Sequence, residues 1–254
     1  MPRCGSFAPG RRRCADKEIC MRISFAAGLL LCGLAPSGGI RAQAVDPNLL
    51  GEAAAVRAEV ARSRAVLRQY TWTEETEVLV KQKVKSKTSV NCRYDAGGEL
   101  IVRTPVGEAE EKKRASAVSN RPMVRKKADM QDYIERAVTR IHYYVPPKPE
   151  QLDYLLKNGK AALGRSAEGH SEIRFRDYYE NGDSLVFTYD SVSKRLLRAS
   201  IASTLGSPKD PVTMEAVFET LPDGVNHLSS ATLDAKERKV QVKARNLMYQ
   251  KMAP

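Results

Sequence analysis

The residues able to do chemistry are few and scattered. Histidine occurs three times, as His142, His170 and His227. No HExxH, HxH or CxxC spacing is present, so the sequence offers no ready zinc set. There is no G-x-S-x-G elbow, no phosphate-binding lysine loop and no dinucleotide glycine fingerprint. Cys92 lies in a strand pattern with no base evident beside it in sequence. The carboxylates Glu74, Glu75 and Glu77 are closely spaced. Alternation puts Glu75 and Glu77 on a charged strand face, while Glu74 shares a face with Trp72 and Val78. A carboxylate on an apolar face is the kind of group that gathers at functional sites. The other two need no such explanation. These patterns predict a protein that is not an enzyme and uses no cofactor and no metal.

The elements that would position these residues are clearer. From Ser171 to Met252 the chain alternates apolar and polar residues. Ile173 and Phe175 open the pattern, Leu185, Phe187 and Tyr189 continue it, and Leu197, Ala199 and Ile201 follow. Val212, Met214, Ala216 and Phe218 come next, then Val240, Val242 and Ala244. Period two means one buried and one wet face. Turn signals at Asn181-Gly182, Asp190 to Ser193, Asp223-Gly224 and Asp234 to Arg238 are short, which forces antiparallel neighbours.

Upstream, Asp46-Pro47 starts a helix with a capping side chain and a proline suited to the first position. Leu49, Ala53, Val56, Val60, Leu67 and Tyr70 form its apolar stripe, with Arg57, Arg62, Arg64 and Arg68 on other faces. Strands follow at Tyr70 to Val80 and Lys83 to Tyr94, and a turn at Asp95 to Gly98 leads to a third with Leu100 and Val102. Glu75 and Glu77 are placed to meet the lysines of the second strand. Periodicity vanishes from Pro105 to Ala128, which predicts a long charged loop. A second helix carries Met130, Ile134, Ala137, Ile141 and Tyr144 and ends at Pro146-Pro147. A short third begins at Pro149 with Leu152, Leu155 and Leu156 and stops at Asn158-Gly159. A strand near Ala161 to Arg165 leads into the meander. The fold class predicted is α+β: a curved antiparallel sheet or unclosed barrel of about ten strands, covered by about three helices.

The chain has 254 residues. Met21-Arg22, the apolar run Ile23 to Ala35, a Pro36 to Gly39 break and Ala42-Gln43-Ala44 read as a secretory signal cut after Ala44. Met21 is a possible true start. The run is too short to span a bilayer, and Leu31 before Cys32 is too large for a lipoprotein signal. Of five cysteines only Cys92 lies beyond residue 44, so the exported part has no internal disulfide. Residues 1–44 hold seven of the 42 basic and two of the 30 acidic side chains, leaving 35 and 28 and a net +7. No Pro/Gly/Ser linker divides residues 45–254, which read as one domain with a charged loop at 106–128. The predicted location is the periplasm, or outside the cell, with no transmembrane segment and no nucleic-acid partner.

A curved sheet with large, soft residues on its inner face suits either a packed core or an apolar cavity for acyl chains. The candidate cavity residues are Trp72, Val78, Phe175, Phe187, Met214 and Phe218. Candidates for contact with an anionic envelope surface are Lys112, Lys113, Arg114, Arg125, Lys126 and Lys127.

The order of elements resembles the LolA-like family of periplasmic carriers and sorting proteins for outer-membrane lipoproteins. The closest local cues are Tyr70-Thr71-Trp72-Thr73 after the first helix and the closing Val240 to Tyr249 segment. The resemblance covers about residues 46 to 252, and the charged stretch 106–128 departs from the compact family pattern. It implies an unclosed barrel capped by helices, an apolar cavity for lipid chains, and a role as a lipid or lipoprotein carrier. The alternative is a non-catalytic structural or regulatory protein of the envelope that displays the basic loop to a partner.

Overall fold

The computed structural model describes residues 46–95, 101–106 and 121–252. The leader at 1–44 and the candidates Lys112, Lys113 and Arg114 lie outside them. Helix α1 spans Pro47–Leu67; strands β1 (Tyr70–Val80), β2 (Lys83–Tyr94) and β3 (Ile101–Pro105) follow. Helices α2 (Arg121–His142) and α3 (Pro149–Lys157) come next, then β4 (Ala161–Arg165), β5 (Ser171–Arg176) and β6 (Ser184–Tyr189). The chain closes with β7 (Leu196–Thr204), β8 (Pro211–Thr220), β9 (Asn226–Ala235) and β10 (Val240–Lys251). All pairings are antiparallel, in the order β3-β2-β1-β10-β9-β8-β7-β6-β5-β4. Two meanders, β1–β3 and β4–β10, are thus joined by the β1–β10 ladder, and β3 and β4 are the free edges of an unclosed sheet.

Short turns dictate the meander, and alternation dictates its face. One cross-strand row runs Val242, Leu233, Met214, Ile201, Leu185, Phe175 from β10 to β5. The next runs Ala244, Ala231, Ala216, Ala199, Phe187, Ile173. Every residue in both rows is buried. Four successive alanines lower the floor of the sheet so that a helix can approach closely, and Phe187 and Ile173 raise it again.

The helices cross this floor in opposite senses. Asp46 caps α1, its Oδ1 accepting from the Asn48 amide at 2.9 Å. From there α1 passes from β6, where Glu52 meets Tyr189 and Lys194, to the start of β9, where the Ser63 hydroxyl accepts from the Asn226 amide. Near the other strand ends, α2 passes from the β9–β10 turn to the β5–β6 turn. Tyr133 donates to Asp210 at 2.7 Å, and Tyr144 donates to Asp183 at 2.5 Å. Asp183 also accepts the amides of Tyr178, Tyr179 and Glu180, so one buried carboxylate ties helix, turn and sheet together.

Two expectations change. The charged stretch is not a loop throughout: α2 begins at Arg121, so Arg125, Lys126 and Lys127 are exposed helical residues. Arg, Lys, Ala and Met favour helix, and an exposed helix end needs no apolar stripe. Arg64 is 7% exposed and not on a wet face, because the end of α1 dips beneath the first strands. The expected meeting of acidic and basic strand faces holds, with Lys87 Nζ 3.2 Å from Glu75 and 3.4 Å from Glu77.

Candidate functional site

Two small cavities lie beneath α1 on the concave face. The first is about 100 Å³. Its roof is Ala53, Val56 and Val60 of α1, its side is Pro146, Pro147, Pro149 and Leu152, and its floor is Ile173, Phe175, Phe187 and Leu196. Phe175 and Phe187 meet edge to face at 6.0 Å, a favourable ring geometry that fixes the floor. The cavity arises where the alanine floor steps up to phenylalanine while the roof is built of alanine and valine. The lining is apolar except for Arg57, whose Nη2 lies 2.6 Å from Asp153 of α3.

The second cavity, about 90 Å³, shares Val60 and Leu196 with the first and is more polar. The β9–β10 ladder ends at Ser230 and Arg245, so the two strands part beyond that point. The Leu228 carbonyl there accepts from Asn246 Nδ2, the Tyr249 hydroxyl and His227 Nδ1, each at 3.1 Å. A bulge between β1 and β10 adds one residue opposite Trp72. Met248 takes a left-handed conformation (φ 52) and turns outward, and Tyr249 takes the inward place. Tyr249 then stacks on Trp72 at 5.6 Å and contacts His227 at 4.3 Å, while Tyr94 packs against Trp72 at a tilt, also at 5.6 Å.

Burial governs the electrostatics of this cluster. Desolvation raises the pKa of Tyr94 and Tyr249, and it lowers that of His227, which favours the neutral ring. Glu74 is 5% exposed and is matched by Arg103 of β3, two nitrogens to two oxygens, each at 3.3 Å. Trp72 Nε1 and Asn246 Oδ1 are buried without a hydrogen-bond partner, and both residues line this cavity.

The predicted cavity residues therefore separate. Phe175 and Phe187 share the first cavity, and Trp72 and Phe218 share the second. Met214 is 1% exposed and packed in the core, and Val78 is partly buried against that core; neither lines either cavity. Sequence reasoning missed Ala53, Val56, Pro146 and Pro149 as lining residues. Their apolar character was visible, but nothing local signals that they roof a void. Among the described residues, no cluster of three His, Cys, Asp or Glu side chains is placed to hold a metal ion, and no helix is long and apolar enough to cross a membrane.

The sequence matches no protein-family model and no curated protein. Three solved structures are similar in architecture. A LolA superfamily protein from Nitrosomonas europaea is 6% identical at a TM-score of 0.37, covering 78% of this chain and 94% of that one. A DUF1329 family protein from Desulfovibrio piger is 10% identical at a TM-score of 0.38, covering 81% and 93%. An outer membrane lipoprotein-sorting protein domain from Vibrio parahaemolyticus is 9% identical at a TM-score of 0.33, covering 76% and 91%. At these identities and scores no ligand, partner or residue role follows from the likeness.

Proposed function

We propose that residues 45–254 form one exported, non-enzymatic domain that carries an amphiphile, a lipid or lipoprotein, by holding an acyl chain between α1 and the sheet. The observation that carries this reading is the first cavity, an apolar void bounded by α1, the segment 146–152 and the inner face of the sheet. At about 100 Å³ it is smaller than the roughly 150 Å³ that holds benzene and far below the roughly 300–1,000 Å³ of typical ligand sites. An acyl chain therefore enters by displacing a wall, and α1 is the wall suited to move. Its buried apolar residues are only Leu49, Ala53 and Val56. Its polar ties at this end of the helix are peripheral, Glu52 with Lys194 and Tyr189, Arg57 with Asp153, and Glu59 with Arg195, while Ser63 and Arg64 anchor its far end.

Ala53→Phe tests this directly. A phenyl group placed in the roof fills the void, at an overpacking cost of about 1–3 kcal/mol. The unchanged protein should bind a fluorescent fatty acid and carry lipid detectable by mass spectrometry. Trp72, the sole tryptophan, sits in the adjoining cavity and should change its emission on binding. The folded Ala53→Phe protein should lose all three signals. Equal fatty-acid binding by both proteins would place the ligand elsewhere and overturn the reading.

A further inference from the structure

The turns at one end of the sheet gather basic side chains from segments far apart in sequence. The β1–β2 hairpin contributes Lys81, Lys83 and Lys85, all exposed. It touches the β9–β10 turn directly, the Lys81 amide donating to the Lys239 carbonyl at 2.8 Å. That turn adds exposed Lys236 and Lys239. Its Arg238 reaches the start of α2, with Nη1 donating to the Asp129 carbonyl at 3.0 Å and the guanidinium 4.8 Å from the centre of the Tyr133 ring. This contact brings Arg125, Lys126 and Lys127 of α2 to the same end. The Lys236 amide donates to the Pro211 carbonyl, which joins the β7–β8 turn with its exposed Lys209.

The acidic groups at this end are fewer. Asp210 is buried and accepts from Tyr133. Glu237, Asp129 and Asp132 are exposed. At the β5–β6 turn, on the same strand ends, Lys160 is matched by Asp177 and Arg140 by Glu180. On the rest of the sheet Lys87 is matched by Glu75 and Glu77 and Lys194 by Glu52, while among the described residues Lys243 and Lys251 of β10 have no ion pair. Among the described residues, no ion pair engages the exposed lysines of this end or Arg125. Leaving so many like charges together is unfavourable in isolation and becomes favourable against a negative surface.

We propose that this end of the sheet docks on the anionic headgroups of a lipid bilayer. Lysine dominates the set, and lysine is a flexible point charge suited to a layer of phosphates that can rearrange, whereas arginine suits a fixed bidentate partner. Val84 is 55% exposed on the face of β2 opposite Lys83 and Lys85, so the end of the hairpin offers cations on one face and an apolar side chain on the other. The charges come from several turns, so they present a broad face and not a single polybasic run.

Co-sedimentation of the purified chain with vesicles tests the proposal. It should bind phosphatidylcholine vesicles containing phosphatidylglycerol and ignore phosphatidylcholine alone, and added salt should release it. The triple variant Lys83→Glu, Lys85→Glu, Lys236→Glu should weaken binding by on the order of 100-fold or more. The triple variant Arg93→Glu, Arg165→Glu, Lys251→Glu changes the net charge equally at exposed positions on the opposite strand ends and should bind nearly as the unchanged chain does. Circular dichroism checks that both are folded, and Lys83→Gln alone should still cost several-fold. Equal loss in the two triples, equal binding to both vesicle types, no vesicle binding, or a stronger hold on polyglutamate than on vesicles would each overturn the proposal. It does not depend on the cavity: Ala53→Phe should bind vesicles unchanged, so the two readings fail separately.

Discussion

A buried ion pair and a buried histidine make distinct demands on the fold. Glu74 and Arg103 are 7% and 9% exposed at the side chain, and each is the other's answer to desolvation. The pair reaches across β2 and ties edge strand β3 to β1. Glu74→Gln leaves Arg103 buried without its counter-charge and should cost about 3–5 kcal/mol in urea unfolding, whereas the double change Glu74→Leu, Arg103→Met should recover most of it. A double variant no more stable than Glu74→Gln would show that the pair is not coupled. His227 makes a pH-dependent demand. Burial holds its pKa below the ordinary 6.5, so just below that pH the unfolded chain binds more protons than the folded one. Its contribution is fully present above the unfolded value and declines as pH falls through it, until the lower folded value is reached. The melting temperature should therefore fall between about pH 7 and 5, and His227→Gln should flatten that part of the profile.

At the scale of elements, what could be read from the sequence divides by how local its cause is. Strands β5 to β8 and β10 declared themselves because one face is buried and the other wet, which imposes period two on the residues. The Asp46-Pro47 start of α1 and the Asn158-Gly159 end of α3 follow from local capping chemistry. The first part of α2 did not show, since residues 125–129 are exposed and carry no apolar stripe. The bulge at Met248 did not show either, because the left-handed position is filled by methionine and not by the glycine that would mark it. That choice can be tested. Glycine takes φ 52 without a Cβ clash, so Met248→Gly should leave the melting temperature unchanged or slightly higher, the relief offsetting glycine's entropic cost. Met248→Val puts a β-branched side chain in the left-handed region and should cost about 1–2 kcal/mol. It should also loosen Tyr249 from Trp72 and shift the indole emission. Equal stability of the two variants would mean that the bulge does not require this backbone conformation.

For the whole molecule, the site was less legible than the fold because cavities are differences between surfaces that meet only after folding. Phe175 and Phe187 could be assigned to the inner face from alternation, but the void above them depends on Ala53, Val56 and the Pro146–Pro149 segment, which come from other parts of the chain. The same global view ranks the stability of the parts. Helix α2 buries Tyr133, Ile134, Ala137, Val138 and Ile141, and two buried hydrogen bonds, Tyr133 to Asp210 and Tyr144 to Asp183, hold its middle and the residues just after it. Helix α1 buries three apolar residues, two of them alanine and valine, over two cavities, and its other ties are solvent-accessible ion pairs and a buried hydrogen bond from the Asn226 amide to Ser63 near its C-terminus. Regions with few buried contacts open before the rest unfolds. Native-state hydrogen exchange should therefore show α1 amides exchanging through local opening, well before those of α2 and the central strands β7 to β10. Added salt, which screens the Glu52–Lys194 and Arg57–Asp153 pairs, should widen that gap, and a bound fatty acid should narrow it. Protection of α1 equal to that of the central strands would make it a fixed part of the core and remove it as the wall through which an acyl chain enters.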